Sequence, residues 1–453
     1  MLSYKKVKVP DMTSLLNTES LQNYIPLYKR FFELNEVNWN SIQLDNHRPV
    51  ASIHEDDSIL FYGDEPMFVK FSPILDPLRY LTGKYEDYPY TLPSFTQSPL
   101  PKMSDVNNSS YVDGFFTFLT SLLKDKGFIH GTRFYGSYLG IKKDFPYMIE
   151  DDLDHLEECS FFHKNKDVLY KLNRDYSFSD SRTSKKKLCM TDDPIELVLD
   201  SLDDSIHSTS SPSDDGLGLQ AIIHKFPTHV IFMEKYEETL DDIIDEMTND
   251  ELEACMMQVI MILVTYQKVF QFTHNDLHTN NIMYSYTDRE FVTYKYNNTF
   301  YKVPTYGKLY HVIDYGRSIY TFQKRLFISD SFHEDGDAAT QYNMEPYLDK
   351  NEPVVEPNPS FDLCRLACSM LDCISEEEPM YEVISDWCTD DKGESVVVSD
   401  DGTERYPDFE LYRMIALSVH NHTPQAQLLR PEFLKFKVDS AEDVMDIDEY
   451  GVW

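Results

Sequence analysis

At 453 residues, 42% hydrophobic and 14% aromatic, the chain exceeds what one hydrophobic core usually supports, so two lobes or domains are expected. No run of about 18 apolar residues occurs and no apolar run follows the basic start MLSYKKVKVPDM, so neither a membrane partner nor a secretory route is expected. The net charge of −37 argues against duplex nucleic acid, whose phosphates need clustered Lys and Arg; it is compatible with a basic protein partner or substrate, and part of it is expected to sit in disordered acidic insertions. The seven scattered cysteines, with no CxxC pair, fit a reducing compartment.

Leucines and aromatics at helical spacing over 12–38 predict one or two helices in an N-terminal extension, 1–46. SILFYG and MFVKF then read as strands of a hairpin around Gly63-Asp64-Glu65-Pro66. A Pro/Ser-rich connector at 92–104 leads into SSYVDGFFTFLTSLLKDKG, an amphipathic helix with Ser109 or Ser110 as N-cap and Gly127 as its stop. Residues 176–216, rich in Ser and Asp, read as an acidic disordered insertion. THVIFMEKY is a buried strand. Thr248 and Glu251 form a capping box that opens the interior helix ELEACMMQVIMILVTYQKVFQ.

The segment FTHNDLHTNNIMY carries the chemistry. A carboxylate at Asp276 and an amide five residues later at Asn281 suit phosphoryl transfer: one orients or accepts the proton of an attacking hydroxyl, the other ligates magnesium. Magnesium takes oxygen ligands and keeps waters, so one further carboxylate suffices. Asp314, ending the apolar strand of YHVIDYGRSIY, supplies it, with Gly316 expected to give the backbone freedom just beyond.

HNDLHTNN resembles the HxDLxxxN catalytic loop of the protein-kinase-like superfamily, and IDYG resembles its Asp-Phe-Gly magnesium motif. With YKVPTYGKLYHVIDYGRSIY, FHEDGDAATQYN and EPNPSFDLCRL, the pattern looks most like serine/threonine kinases encoded by giant DNA viruses; HxDLHxxN also resembles haspin-like and aminoglycoside phosphotransferase-like enzymes. The resemblance runs from about 47 to 435 and is specific over 272–370. It implies a two-lobed α+β fold, with a strand-rich N-lobe over 47–235, a helical C-lobe over 236–435 and an acidic tail over 436–453. It implies ATP and Mg2+ (or Mn2+) as cofactors, Asp276 as catalytic base, Asn281 and Asp314 as metal ligands, and His274 as a structural support. Lys70 in MFVKF resembles the lysine that holds the phosphates, Asp113 stands where the family has a helix glutamate, and the backbone of Glu234, Lys235 and Tyr236 resembles the adenine-binding hinge. Asp362 resembles the aspartate that braces the catalytic loop. A Ser or Thr hydroxyl of a protein substrate would accept the phosphate, in host cytoplasm or virion. The alternatives are a small-molecule kinase and a pseudokinase acting as a binding or virion structural module.

The pattern has departures. No GxGxxG precedes Lys70, no Ala-Pro-Glu follows Gly316, and Asn275 replaces the usual arginine, so activity independent of activation-segment phosphorylation is expected. His278 stands where ordinary protein kinases have lysine and is expected to titrate near neutrality if it meets the transferring phosphate. FVTYKY-NN-TFYKV reads as an extra hairpin whose Tyr294, Tyr296 and Tyr301 are packing residues. Cys364, Cys368 and Cys373 lie in an apolar helix, and His420 and His422 at a helix end; both groups read as structural rather than metal-binding.

Overall fold

The computed structural model describes residues 2, 4–9, 11–44, 53–56, 59–62, 65–174, 176, 218–399, 401–407 and 409–453; the expected acidic insertion, apart from Tyr176, and the Gly63-Asp64 turn lie outside them. The architecture is mixed α+β. The N-terminal stretch departs from the helical expectation. Strand β1 (Tyr4–Lys6) pairs with β3 (Ile42–Leu44), β2 (Thr18–Gln22) joins a larger sheet, and only a 3-10 turn at Pro26–Arg30 is helical. The leucine spacing is real but serves a different surface: Met12, Leu16 and Leu21 cover Met67, Tyr138, Val230 and Phe232. Period alone does not distinguish a helix stripe from residues that plug a sheet face.

That larger sheet has seven strands. β4 (Ile53–Asp56), β5 (Ile59–Tyr62) and β6 (Glu65–Pro73) form a meander, so the expected hairpin is present, and β7 (Phe134–Met148), β8 (Tyr170–Leu172) and β9 (Gln220–Glu234) complete it. The order is β2-β7-β9-β6-β5-β4, with β8 on the far part of β9. Alternation along a strand sends successive side chains to opposite faces. Met67, Val69 and Phe71 therefore meet the N-terminal plug, and Lys70, opposite Ile231 in β9, turns to the face covered by the helix Ser109–Lys124. Asn108, rather than Ser109 or Ser110, caps that helix by accepting from the Ser110 amide, and Gly127 (φ +99°) ends the turn beyond it.

The expected capping box opens the 22-residue helix Asn249–Phe270: Thr248 accepts from the Glu251 amide, and the Glu251 side chain accepts from the Thr248 amide at 2.9 Å. It is long and apolar enough to cross a membrane, yet 89% of its most apolar window is buried inside the fold. It packs against β13 (Lys308–Val312), the antiparallel partner of β10 (Ile282–Tyr286). Between those two strands lies the extra hairpin, β11 (Phe291–Tyr296) and β12 (Thr299–Pro304). Asn297 (φ 47°) and Asn298 (φ 57°) are both left-handed, as a two-residue primed turn requires. Tyr294 and Tyr301 are buried. β14 (Ile319–Phe322) and β15 (Arg325–Ile328) form another hairpin, and the helices Phe361–Met370, Pro379–Trp387 and Glu410–Ser418 follow.

Residues 436–453 are not a free tail. β16 (Lys437–Val438) and β17 (Val444–Asp446) flank the β11–β12 hairpin, while Ile447 is fully buried and Trp453 packs edge-on to Phe270. The acidic count there is misleading because Asp446 pairs with Lys295 at 2.6 Å and Asp448 accepts the Asn297 and Asn298 amides.

Candidate active site

Lys70 lies between two carboxylates. Its Nζ is 2.7 Å from Asp113 Oδ2 and 2.9 Å from Asp314 Oδ1. Burial pushes the ammonium down, but the two anions outweigh it and hold Lys70 above the ordinary lysine range. The carboxylates diverge: burial pushes Asp113 up despite Lys70, whereas at Asp314 burial is overcome by Lys70 together with His274 and the Gly316 amide, which hold it below the usual range. Asp113 is almost inaccessible and Asp314 half-exposed. Asp113 therefore acts as the fixed partner, and Asp314 faces the opening.

Asp314 owes its place to aromatic packing. Tyr315 is buried against Phe116 (ring centroids 4.7 Å apart) and Phe272 (6.0 Å), and its amide donates to Asp113 Oδ1 at 2.9 Å. The left-handed residue is Asp314 itself (φ 62°), not Gly316, whose φ is not positive. Non-glycine residues in that region cost energy and cluster at functional sites.

The segment from Phe272 to Asn281 is held from below by Asp362, near the start of the Phe361–Met370 helix. Its carboxylate accepts the His274 amide at 2.9 Å and the Asn275 amide at 2.9 Å. Burial pushes Asp362 up, opposed by His274 and the two amides. His274 bridges two elements: Nε2 donates to the Ile313 carbonyl at 2.9 Å and Nδ1 accepts the Asp276 amide at 3.3 Å. It thus ties the Asp276 loop to the strand end that carries Asp314. Asn275 (φ 66°) spends its amide inside the fold, donating to the Arg317 carbonyl at 2.9 Å and accepting from the Tyr342 hydroxyl at 2.7 Å.

Asn281 Nδ2 donates to the Asp276 carbonyl at 2.8 Å and to His278 Nε2 at 3.1 Å. The amide oxygen is thereby the atom that could ligate a cation. An imidazole nitrogen that accepts cannot carry a proton, and burial, the largest influence on His278, also pushes its pKa down against the opposing field of Asp276. The shift is downward from the near-neutral value expected of His278.

Asp276 Oδ1 accepts from the Tyr412 hydroxyl at 2.7 Å and lies 3.3 Å from Arg317 Nη1, which also pairs with Asp337 through Nη2 at 2.8 Å. Neither partner was singled out in the sequence. Arg317 follows Gly316 directly and is a signal that could have been read. Tyr412 lies 136 residues from Asp276, and no local pattern marks it.

A cavity of about 400 Å³ opens beside Lys70 and Asp314, lined by Phe68, Asp113, Thr117, Thr132, Met233, Met283, Ile313 and Tyr315, and edged by 234–237. Its largely apolar walls, with Lys70, Asp113 and Asp314 together at one end, suit a flat heteroaromatic carrying an anionic chain. Two side chains of the expected hinge are occupied: Glu234 binds Lys124 at 2.6 Å and the Arg133 amide at 3.0 Å, while Tyr236 stacks on His311 (centroids 4.1 Å apart) and donates to Thr132. Of the backbone there, the Glu234 and Lys235 amides donate to the Arg133 and Pro66 carbonyls at 2.9 and 3.4 Å.

Among the described residues no group of three or more His, Cys, Asp or Glu side chains is arranged to hold a metal ion. His420 instead pairs with Asp391 at 2.7 Å and His422 with the Thr389 carbonyl at 3.0 Å. One carboxylate and one amide, Asp314 and Asn281, are an incomplete set that fits magnesium only with phosphate oxygens and waters completing it. No protein-family model matches the chain, and a search of curated proteins returns no match.

Proposed function

We propose that the chain is an ATP-dependent phosphotransferase with a two-lobed protein-kinase-like arrangement, the seven-stranded sheet and the Ser109–Lys124 helix forming one lobe and the helix-rich remainder the other. The observation that carries this reading is Lys70 held between Asp113 and Asp314 at the charged end of an apolar cavity, with His274 linking Asp314's strand to the loop bearing Asp276 and Asn281.

ATP supplies the transferable phosphoryl group, and Mg2+ (or Mn2+) neutralises charge on its phosphates. Lys70 directs its ammonium at phosphate oxygens while Asp113 keeps it in place. Asp314 and the amide oxygen of Asn281 would hold the metal, which would supply charge neutralisation to the phosphates. Asp276 orients an acceptor hydroxyl and takes its proton, and Arg317 limits where the carboxylate swings. Ser or Thr of a protein is the proposed acceptor, and the net charge of −37 favours a basic one through electrostatic steering.

Calorimetric titration with ATP and magnesium tests the reading. Saturable binding is expected, weakened at least tenfold in Lys70→Ala, since one charge-assisted contact is worth about 1.5–3 kcal/mol. A wild-type protein that binds no nucleotide would move the chain to the scaffold alternative.

A further inference from the structure

Resting on the phosphotransferase reading, we infer that Tyr412 is an intramolecular phosphoryl acceptor, modified by the same active site that holds it. Its hydroxyl donates to Asp276 Oδ1 at 2.7 Å, the relation a substrate hydroxyl must adopt before transfer. The ring is not loosely placed. It stacks on Phe409 (centroids 5.2 Å apart, planes at 14°), and the guanidinium carbons of Arg365 and Arg317 lie 4.9 and 5.6 Å from its centre.

A spectator aromatic would need no hydroxyl on the carboxylate. Here the phenol presents both a proton to a base and a nucleophilic oxygen beside it. In the step, Tyr412 Oη bonds to the γ-phosphorus of ATP, the bond from that phosphorus to the β,γ-bridging oxygen breaks, and ADP leaves with the electron pair. The phenolic proton passes to Asp276 and on to solvent. Arg317 and Arg365 are placed to receive the resulting phosphate through charge-assisted pairs. The new dianion and Asp276 repel each other, so the modified ring leaves the carboxylate and opens it to another hydroxyl.

Two measurements on the full chain test this. The nucleotide-free protein is treated with a tyrosine-nitrating reagent: Tyr412 should react several-fold more slowly than Tyr286, which is 70% exposed. The protein is then incubated with ATP and magnesium, and the tryptic fragment 406–413 is sequenced by mass spectrometry so that Tyr406 and Tyr412 are told apart. On the order of one phosphate per molecule is expected on Tyr412, at a fractional rate unchanged by about hundredfold dilution, as a unimolecular step requires. Asp276→Asn should abolish it. Transfer to other acceptors with Tyr412 unmodified, a rate that falls on dilution, or nitration of Tyr412 as fast as Tyr286 would overturn the inference and leave the phosphotransferase reading standing. No transfer to any acceptor would overturn both.

Discussion

Asp113 reaches Lys70 at 2.7 Å although an aspartate is one methylene shorter than the glutamate of the pattern it resembles. The neighbouring Gly114 explains how. A Cβ there would overlap the ring of His229 in β9, and that ring is buried and fixed by a 2.8 Å bond between Nδ1 and the Ser110 carbonyl. The helix can lie this close to the sheet only because residue 114 has no side chain, and the close approach makes up for the shorter carboxylate.

Gly114→Ala should therefore act twice. Overpacking against His229 is expected to cost about 1–3 kcal/mol, and the displaced helix should stretch the Lys70–Asp113 pair. Urea unfolding reads the first effect and ATP titration the second. Unchanged nucleotide affinity in a destabilised variant would separate the packing from the pair.

Asp362→Ala should loosen the Asp276 loop. The His274 and Asn275 amides are buried and bonded to this carboxylate, and each unsatisfied amide costs about 1–3 kcal/mol. Lower stability together with faster hydrogen exchange at residues 274–276 is expected. Exchange unaltered there would mean the loop is held by other contacts.

Acid should destabilise the fold in a defined window. Burial pushes His130 and His229 down to about 4, their carbonyl partners offsetting only part of the effect. An unfolded imidazole binds its proton below about 6.5, so the unfolded state takes up protons first. Stability should be constant above that value and fall as pH drops from about 6.5 toward 4, by at most about 3 kcal/mol for each histidine. Thermal unfolding at stepped pH measures it; His130→Gln should shrink the slope, whatever the loss of its 2.6 Å bond to Tyr294 costs at every pH.

Deleting 444–453 should destabilise the chain by several kcal/mol, because Met445, Ile447 and Tyr450 are buried and each contributes about 1.5–3 kcal/mol by burial. Denaturant titration checks this. A truncated chain of unchanged midpoint would show that β17 only decorates the hairpin.

Sequence legibility followed the range of the interactions. The capping box at Thr248 and Glu251 and the Asn297–Asn298 turn were readable because both act within a few residues. Asp276, Asn281 and Asp314 stand out in the sequence because each sits in a short motif. The N-terminal plug was misread because Leu16 and Leu21 meet partners in β7 and β9, far away in sequence, and the last 18 residues looked like a tail because Asp439, Glu442, Asp443, Asp446, Asp448 and Glu449 dominate the local composition. Gly316 seemed the flexible position, yet packing of Tyr315 puts the positive φ on Asp314. Tyr412 had no signal at all, since its role exists only once the Glu410–Ser418 helix reaches Asp276.

The most direct test of the central claim is transfer of radiolabelled phosphate from ATP, with magnesium or manganese, to basic test proteins by wild type and by Asp276→Asn. The account predicts transfer by the wild type, reduced about 10²–10⁴-fold in the variant while ATP binding persists. Equal transfer by both proteins, or none by the wild type, would contradict it.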